Sequence, residues 1–316
     1  MKAMSNNTVA ILSDLLGSIQ NFNGSNLIDL NDSISPAFMA EFGIRSLIVT
    51  AMSERLVFSG QYFTTPDRQN ISQYKWRMYK NEGIIADLKT LFANCHIISF
   101  ADWSEVVGAS DLWDGLLLDV IKPLRKNDFE FIFYLGDPTK RPVQEVDEIL
   151  DIIGDYSHYG RVTLVLDEEE ASKLWMVLNG YDPGMPLSSL SLPCPGKKYL
   201  SIFNTMNIND LLICASDQIL SFSRQEQFEL VDKAHNSARI AKDVRNNFNA
   251  GYSLGLQLQL EVSQCVALGL AASGSYMENG VSPDRTALLS YIKKWMAELG
   301  GGQKSHDMQI EATSLT

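Results

Sequence analysis

Apolar positions along this chain change period several times, and the changes sort it into elements. Residues 95–100 (CHIISF), 129–135 (FEFIFYL), 162–166 (VTLVL) and 211–215 (LLICA) are short, near-continuous apolar runs, the pattern of strands buried on both faces. Between them the apolar residues recur at helical spacing over 84–92, over 112–124, through Val143, Val146, Ile149, Leu150 and Ile153, and over 168–178. Pro142 stands at a helix start, where a missing N–H costs nothing. Residues 247–260 and 262–276 read as two long apolar helices, and 284–299 as the last helix of the fold. Nearer the amino end, residues 8–12 (TVAIL) read as a first strand and the Asn/Asp/Ser/Gly-rich stretch 21–32 as a loop. Residues 36–42 form a short predicted helix closed by Gly43, and 45–51 (RSLIVTA) a strand. Over 56–79, aromatic and β-branched residues alternate with polar ones, which predicts exposed antiparallel strands serving as a small lid or a dimer edge. Residues 300–316 are polar and glycine-led, and read as a disordered tail.

Strand-helix alternation with buried strands predicts an α/β fold: a mostly parallel sheet covered on both faces, forming one domain over 1–299. Ligands in such sheets bind beyond the carboxyl ends of the strands, so the loops after those ends are the places to look for chemistry.

Composition narrows the function classes. With 26 basic and 38 acidic residues the formal charge is −12, which argues against binding nucleic acid or an anionic membrane surface. No stretch of about 18 uninterrupted apolar residues is present, and no signal peptide is recognisable, so a cytoplasmic protein is expected. Cys95, Cys194, Cys214 and Cys265 are widely spaced and read as free thiols; the four histidines show no metal spacing.

Three segments could carry chemistry. Gly136-Asp137-Pro138-Thr139-Lys140-Arg141 puts a carboxylate and two cations at a strand end, suiting either a phosphate or sugar contact or a turn with a solvated basic pair. Asp167-Glu168-Glu169-Glu170 opens a helix; its carboxylates suit the helix dipole, and equally a water-mediated Mg²⁺. Asp243 to Gly251 (DVRNNFNAG) opens the longest apolar helix, with Asn246 or Asn247 placed to cap it.

In this order the segments resemble the ribokinase (phosphofructokinase-B, PfkB) family of carbohydrate kinases. The match rests on Asp102-Trp103-Ser104, on Gly136 to Arg141, on Val165 to Ala171, on Asp243 to Tyr252, and on Ser273-Gly274-Ser275-Tyr276 with Gly280-Val281-Ser282-Pro283. The resemblance implies a three-layer αβα domain with a small β lid, ATP and Mg²⁺ as cofactors if the protein is active and none otherwise, and a sugar or nucleoside as substrate. It places the family's catalytic base, an Asp, at Asn246 and its anion hole, Gly-Ala-Gly, at Asp243, Val244 and Arg245. Asp167 and Glu170 fall at the magnesium and phosphate positions, and Asn31, Asp32 and Ser33 on the sugar side. Asn249, Gly251, Cys214 and Ser273 fall on the nucleotide side.

An amide is no base near neutral pH, and side chains at three anion-hole positions obstruct the close backbone approach that glycine permits. The resemblance, so modified, implies a catalytically impaired pseudokinase that binds a nucleotide, a sugar or a protein partner. Two alternatives stand beside it: an active kinase with a divergent base, and a structural subunit paired with an active paralogue.

Overall fold

The computed structural model describes residues 2–20, 22, 26–30, 33–52, 55–58, 61–64, 76–182, 185, 194–215, 218–231 and 242–313. Over these residues the chain forms a ten-stranded sheet in the order β10-β9-β8-β7-β6-β5-β1-β2-β3-β4. The strands are β1 (Asn26–Leu30), β2 (Arg45–Met52), β3 (Arg55–Phe58), β4 (Gln61–Thr64), β5 (Cys95–Phe100), β6 (Phe129–Tyr134), β7 (Gly160–Asp167), β8 (Asp210–Cys214), β9 (Gln218–Ser223) and β10 (Gln227–Val231). From β2 through β1, β5, β6 and β7 to β8 every neighbouring pair is parallel; β3, β4 and β9 are added antiparallel at the flanks. The α/β class and mostly parallel sheet expected from the sequence are thus observed, and β3–β4 is the small antiparallel extension.

The helices are α1 (Lys2–Gln20), α2 (Pro36–Glu41), α3 (Trp76–Tyr79), α4 (Glu82–Ala93), α5 (Ala109–Leu116), α6 (Lys122–Leu124), α7 (Val143–Tyr156), α8 (Glu168–Leu178), α9 (Pro195–Thr205), α10 (Lys242–Gln257), α11 (Val262–Asn279) and α12 (Arg285–Thr313). No helix among the described residues is long and apolar enough to cross a membrane. A π-helical turn, Leu117–Ile121, joins α5 to α6. Pro123 lies just beyond it; proline cannot donate to the carbonyl four residues back and crowds it, so the helix widens upstream.

The chain divides into two compact units, one of Met1–Gly24, Ile34–Ile44 and Leu230–Thr316 and the other of Ser25–Ser33 and Arg45–Glu229. The second holds the parallel strands. One face of its sheet (Ile28, Phe100, Phe131, Phe133, Leu164, Ile213) packs with α4, α5, α7, α8 and α9 into a single core. At its centre Phe100 and Phe133 stack at 4.7 Å, and Tyr156 meets Phe100, Phe131 and Phe133 edge-on at 4.9–5.1 Å. The Tyr156 hydroxyl donates to the Trp113 carbonyl at 2.7 Å, so the one polar atom of this aromatic block is satisfied. Trp76 sits in a notch left by Gly115, and its backbone and indole N–H groups donate to Asp111 and Asp119.

The first unit is helical. Its α1 lies along α11 and α12, and α10 runs against α11. The last two meet through small residues. A side chain at Gly251 would come within 2.5 Å of the Leu268 carbonyl and 2.8 Å of Gly269 Cα, and one at Gly255 within 2.7 Å of Cys265 Cα. Gly269 in turn faces the ring of Phe248.

Four expectations are corrected. Residues 8–12 belong to α1 and not to a strand, because Leu12, Leu15 and Ile19 continue the buried series at helical spacing. The stretch read as a loop contains β1, whose polar Asp29 hid it: that carboxylate is buried and serves the turn that follows. Within 56–79 the structure has β3 and β4 but then helix α3; residues 65–75 lie outside the description. Helix α12 runs on through Gly300, Gly301 and Gly302 to Thr313, where a disordered tail was expected; three glycines raise the cost of a helix, at about 1 kcal/mol each, without forbidding it.

Gly251→Ala is expected to destabilise the protein by about 1–3 kcal/mol, since overpacking the α10–α11 contact outweighs the gain in helix propensity. Urea unfolding of both proteins checks it; an unchanged or raised midpoint would show that the helices separate without strain.

Candidate functional site

Parallel strands put their carboxyl ends on one edge, and in the second unit that edge carries most of the polar residues noted from the sequence. After β1, fully buried Asp29 accepts from the Ser33 N–H at 3.1 Å and from its hydroxyl at 2.7 Å, and Ser33 Oγ lies 2.8 Å from Ser99 Oγ on β5. Asn31 and Asp32 lie outside the described residues. After β5, the Ala101 N–H donates to the Leu30 carbonyl at 3.1 Å, and Asp102 follows in the left-handed region with φ 57°. Few non-glycine residues hold that conformation, and Asp does so more readily than most. Trp103 is buried, its indole donating to Ser110 Oγ at 2.9 Å.

The loops after β5 and β6 are built against each other. Ser104 N–H donates to the Leu135 carbonyl at 2.9 Å. Gly136, at φ 70°, faces the buried Ser104 hydroxyl so closely that a Cβ there would overlap it. Arg141 donates through Nε to the Ser104 carbonyl at 3.1 Å, lies over the Trp103 ring at 5.9 Å and approaches Glu145 at 3.8 Å. Lys140 pairs with Glu105. Both cations of the loop therefore have partners inside this unit. Asp137 caps its own turn, accepting from the Thr139 N–H and hydroxyl, and its second oxygen accepts from Lys173 at 2.7 Å. Burial raises the Asp137 carboxyl, but hydrogen bonds from Lys173 and Thr139 outweigh that and hold it below its usual range. Lys173 also meets Glu169 at 2.7 Å; burial lowers its ammonium, and the two carboxylates more than restore it.

The acidic run after β7 is a reciprocal helix cap. Asp167 accepts from the Glu170 N–H at 2.7 Å, and Glu170 accepts from the Asp167 N–H at 2.9 Å. The cap uses one oxygen of each carboxylate, Asp167 Oδ1 and Glu170 Oε2. Among the described residues no group of three or more His, Cys, Asp or Glu side chains could hold a metal ion. The residues fit a capped helix better than a cation cage. Cys214 stands opposite Asp167 in register, half-buried.

In the first unit, Asp243, Val244, Arg245 and Asn246 occupy the first turn of α10. Asp243 is exposed; its carbonyl accepts from the Asn247 amide at 2.8 Å and its carboxylate from the Tyr276 hydroxyl at 3.4 Å. Val244 is buried, and Arg245 and Asn246 are half-buried. The Asn246 carbonyl accepts from the Ser35 N–H at 3.1 Å, and Ser35, which caps α2, lies 2.8 Å from Ser282 Oγ. Asn249 is buried one turn on, Gly251 faces α11, and Ser273 bonds its own helix at the Leu270 carbonyl.

No model of a known protein family matches the chain, and no curated protein does. Solved structures do match. A variant of phosphofructokinase-2 from Escherichia coli aligns with TM-score 0.51 at 12% identity, over 93% of this chain and 86% of that one. A ribokinase II from E. coli, in complex with ATP and Mg²⁺, aligns with TM-score 0.50 at 11% identity, over 90% and 87%. The fold is ribokinase-like.

Within this ribokinase-like chain the structure groups the residues singled out from the sequence into two sets. Asp243 to Asn246, Asn249, Gly251 and Ser273 lie together on α10 and α11 of the first unit; Ser33, Asp167, Glu170 and Cys214 lie at the strand ends of the second. Sequence reasoning missed Asp29, whose strand it read as loop, and Lys198. Lys198 is 5% exposed on α9 and donates to Ser172 Oγ at 2.8 Å; burial lowers its ammonium against the pull of Glu168. Its signal was a helix start reading Pro195-Gly196-Lys197-Lys198, where a cation of the first turn works against the helix dipole.

Glu170→Gln is expected to leave thermal stability within about 0.5 kcal/mol, because Gln keeps the reciprocal cap, whereas Glu170→Ala costs about 0.5–2 kcal/mol. Equal losses in both variants, measured by chemical denaturation, would show that the carboxylate does more than cap.

Proposed function

We propose that this chain is a PfkB-type carbohydrate-kinase homologue that binds a nucleotide and a sugar-like or nucleoside ligand but transfers phosphate weakly or not at all. The observation that carries the reading is the first turn of α10. At the position that the resemblance gives to the base stands Asn246, whose carbonyl accepts from Ser35 and whose side chain is an amide. A general base contributes roughly 10²–10⁴-fold, and an amide supplies none of it. Over the preceding positions the turn bears the exposed Asp243 carboxylate, the buried Val244 and the half-buried Arg245. A carboxylate there repels an incoming phosphoryl group, and the side chains keep backbone N–H groups at a distance.

ATP and Mg²⁺ are the cofactors of this reading; the ribokinase II neighbour is described with both. A Mg²⁺ ion would supply charge neutralisation on the phosphates. Asp167 and Glu170, the positions that the resemblance gives to it, are arranged as a helix cap. The formal charge of −12 supports a reading without nucleic-acid or membrane-surface partners. One observation favours a second reading, an active kinase with a displaced base: Asp243 offers an exposed carboxylate on the same turn as Asn246, held by Tyr276.

A coupled assay of the full chain with ATP and a panel of common sugars and nucleosides is expected to show turnover well below about 1 s⁻¹, the lower end of the usual kinase range. Turnover at or above that rate on any of them overturns the reading. Restoring the loop (Asp243→Gly, Val244→Ala, Arg245→Gly, Asn246→Asp) is expected to strengthen ATP binding in calorimetry before any sugar phosphorylation appears. It should also lower stability by up to about 1 kcal/mol for each added glycine. If Asp243 is the displaced base, Asp243→Asn alone abolishes the activity of the natural chain.

A further inference from the structure

The opposite, amino-terminal edge of the parallel sheet holds a group of charges that the fold does not balance. Arg161 on β7 grips Asp210 on β8 with both arms of its guanidinium, Nε to Oδ2 at 2.6 Å and Nη2 to Oδ1 at 3.0 Å. Asp210 is fully buried, so the pair is fixed: removing an ionised carboxylate from water is tolerable only with such a partner. Glu130 on β6 stands directly opposite Arg161 in the strand register. Its Oε2 is buried and has no hydrogen-bond partner. On the other side of Glu130 the register brings Ile97, which adds no charge. The charged groups that bear on Glu130 among the described residues are Arg161 and Asp210. One guanidinium thus faces two carboxylates, and its fork is taken by the more deeply buried one.

We propose that Glu130, Arg161 and Asp210 form a proton-binding switch at the amino ends of β6, β7 and β8. With the proton on, Glu130 is neutral and leaves the Arg161–Asp210 pair intact. With the proton released to water, a second, half-buried carboxylate competes for the one guanidinium, and the strand ends loosen. All three residues lie in the second unit, and none belongs to the loops at the carboxyl edge, so the device stands or falls independently of the kinase-like reading.

The proton affinity agrees with this geometry. Burial pushes the Glu130 carboxyl up from 4.5 to about 7; the attraction of Arg161 opposes the rise and the repulsion of Asp210 adds to it. The sign for stability follows. A carboxyl that holds its proton more tightly when folded contributes stability that is complete below about pH 4.5 and lost as pH rises to about 7, with no further change above.

Thermal unfolding of the full chain and of Glu130→Gln, in steps from pH 4.5 to 8.5, tests the proposal. The melting temperature of the natural protein should fall by several degrees relative to the variant between about pH 4.5 and 7, then run parallel to it. Infrared spectra of the natural protein should show one protonated carboxyl disappearing near neutral pH, a band absent from the variant. Curves that stay parallel over the whole range overturn the proposal. If the variant does not fold, the infrared titration of the natural protein decides, and the absence of a carboxyl titrating near neutral pH overturns it.

Discussion

Six strands running in one direction constrain everything else in this protein. A parallel ladder cannot be closed by hairpins; each return must cross a face of the sheet, so apolar strands and covering helices come together or not at all. The stacked Phe100 and Phe133, with Tyr156 edge-on against both, show what that covering means in the second unit: aromatic side chains of two neighbouring strands and one crossover helix fill one volume. The same constraint sorts the polar residues. Every one of these six strands ends at the same edge, so loops far apart in sequence, after Leu30, Phe100, Tyr134, Asp167 and Cys214, become neighbours in order along it.

Much of this was legible from hydrophobic period alone. Strands β5, β6, β7 and β8 are buried on both faces, so their runs stand out, and α8 was read with its observed limits, Glu168–Leu178, because an acidic first turn marks its start. The failures have local causes. A strand with a buried carboxylate, NLIDL, does not look like a strand, since its Asp29 accepts from Ser33 after the turn. A five-residue apolar run such as 8–12 carries no length information, and only the later Leu15 and Ile19 reveal the helix. Strands β9 and β10 lie at the flank of the sheet and alternate with polar residues, so no apolar run announces them.

The candidate site was legible as segments and not as geometry. That Asp167 and Glu170 are three residues apart suggested a metal position and a helix cap equally; the observed pair of reciprocal hydrogen bonds identifies the cap. Lys140 and Arg141 looked like free cations for an anion, yet their partners, Glu105 and the Ser104 carbonyl, come from the preceding loop, some 35 residues upstream, which no local pattern foretells. Gly251, which the resemblance puts on the nucleotide side, has a packing role as well: its missing side chain lets two helix backbones touch, a property of a pair of helices that a single segment cannot display.

Gly136 and Ser104 join two of the loops at the carboxyl edge through a fit with no spare room. A methyl group at 136 would meet both an unfavourable backbone angle and the serine hydroxyl, and a larger side chain at 104 would be driven into the glycine. Neither position can therefore drift alone. Any lineage that reshapes this corner for a different ligand has to change the two together, or pass through an intermediate in which one loop has come away from the other.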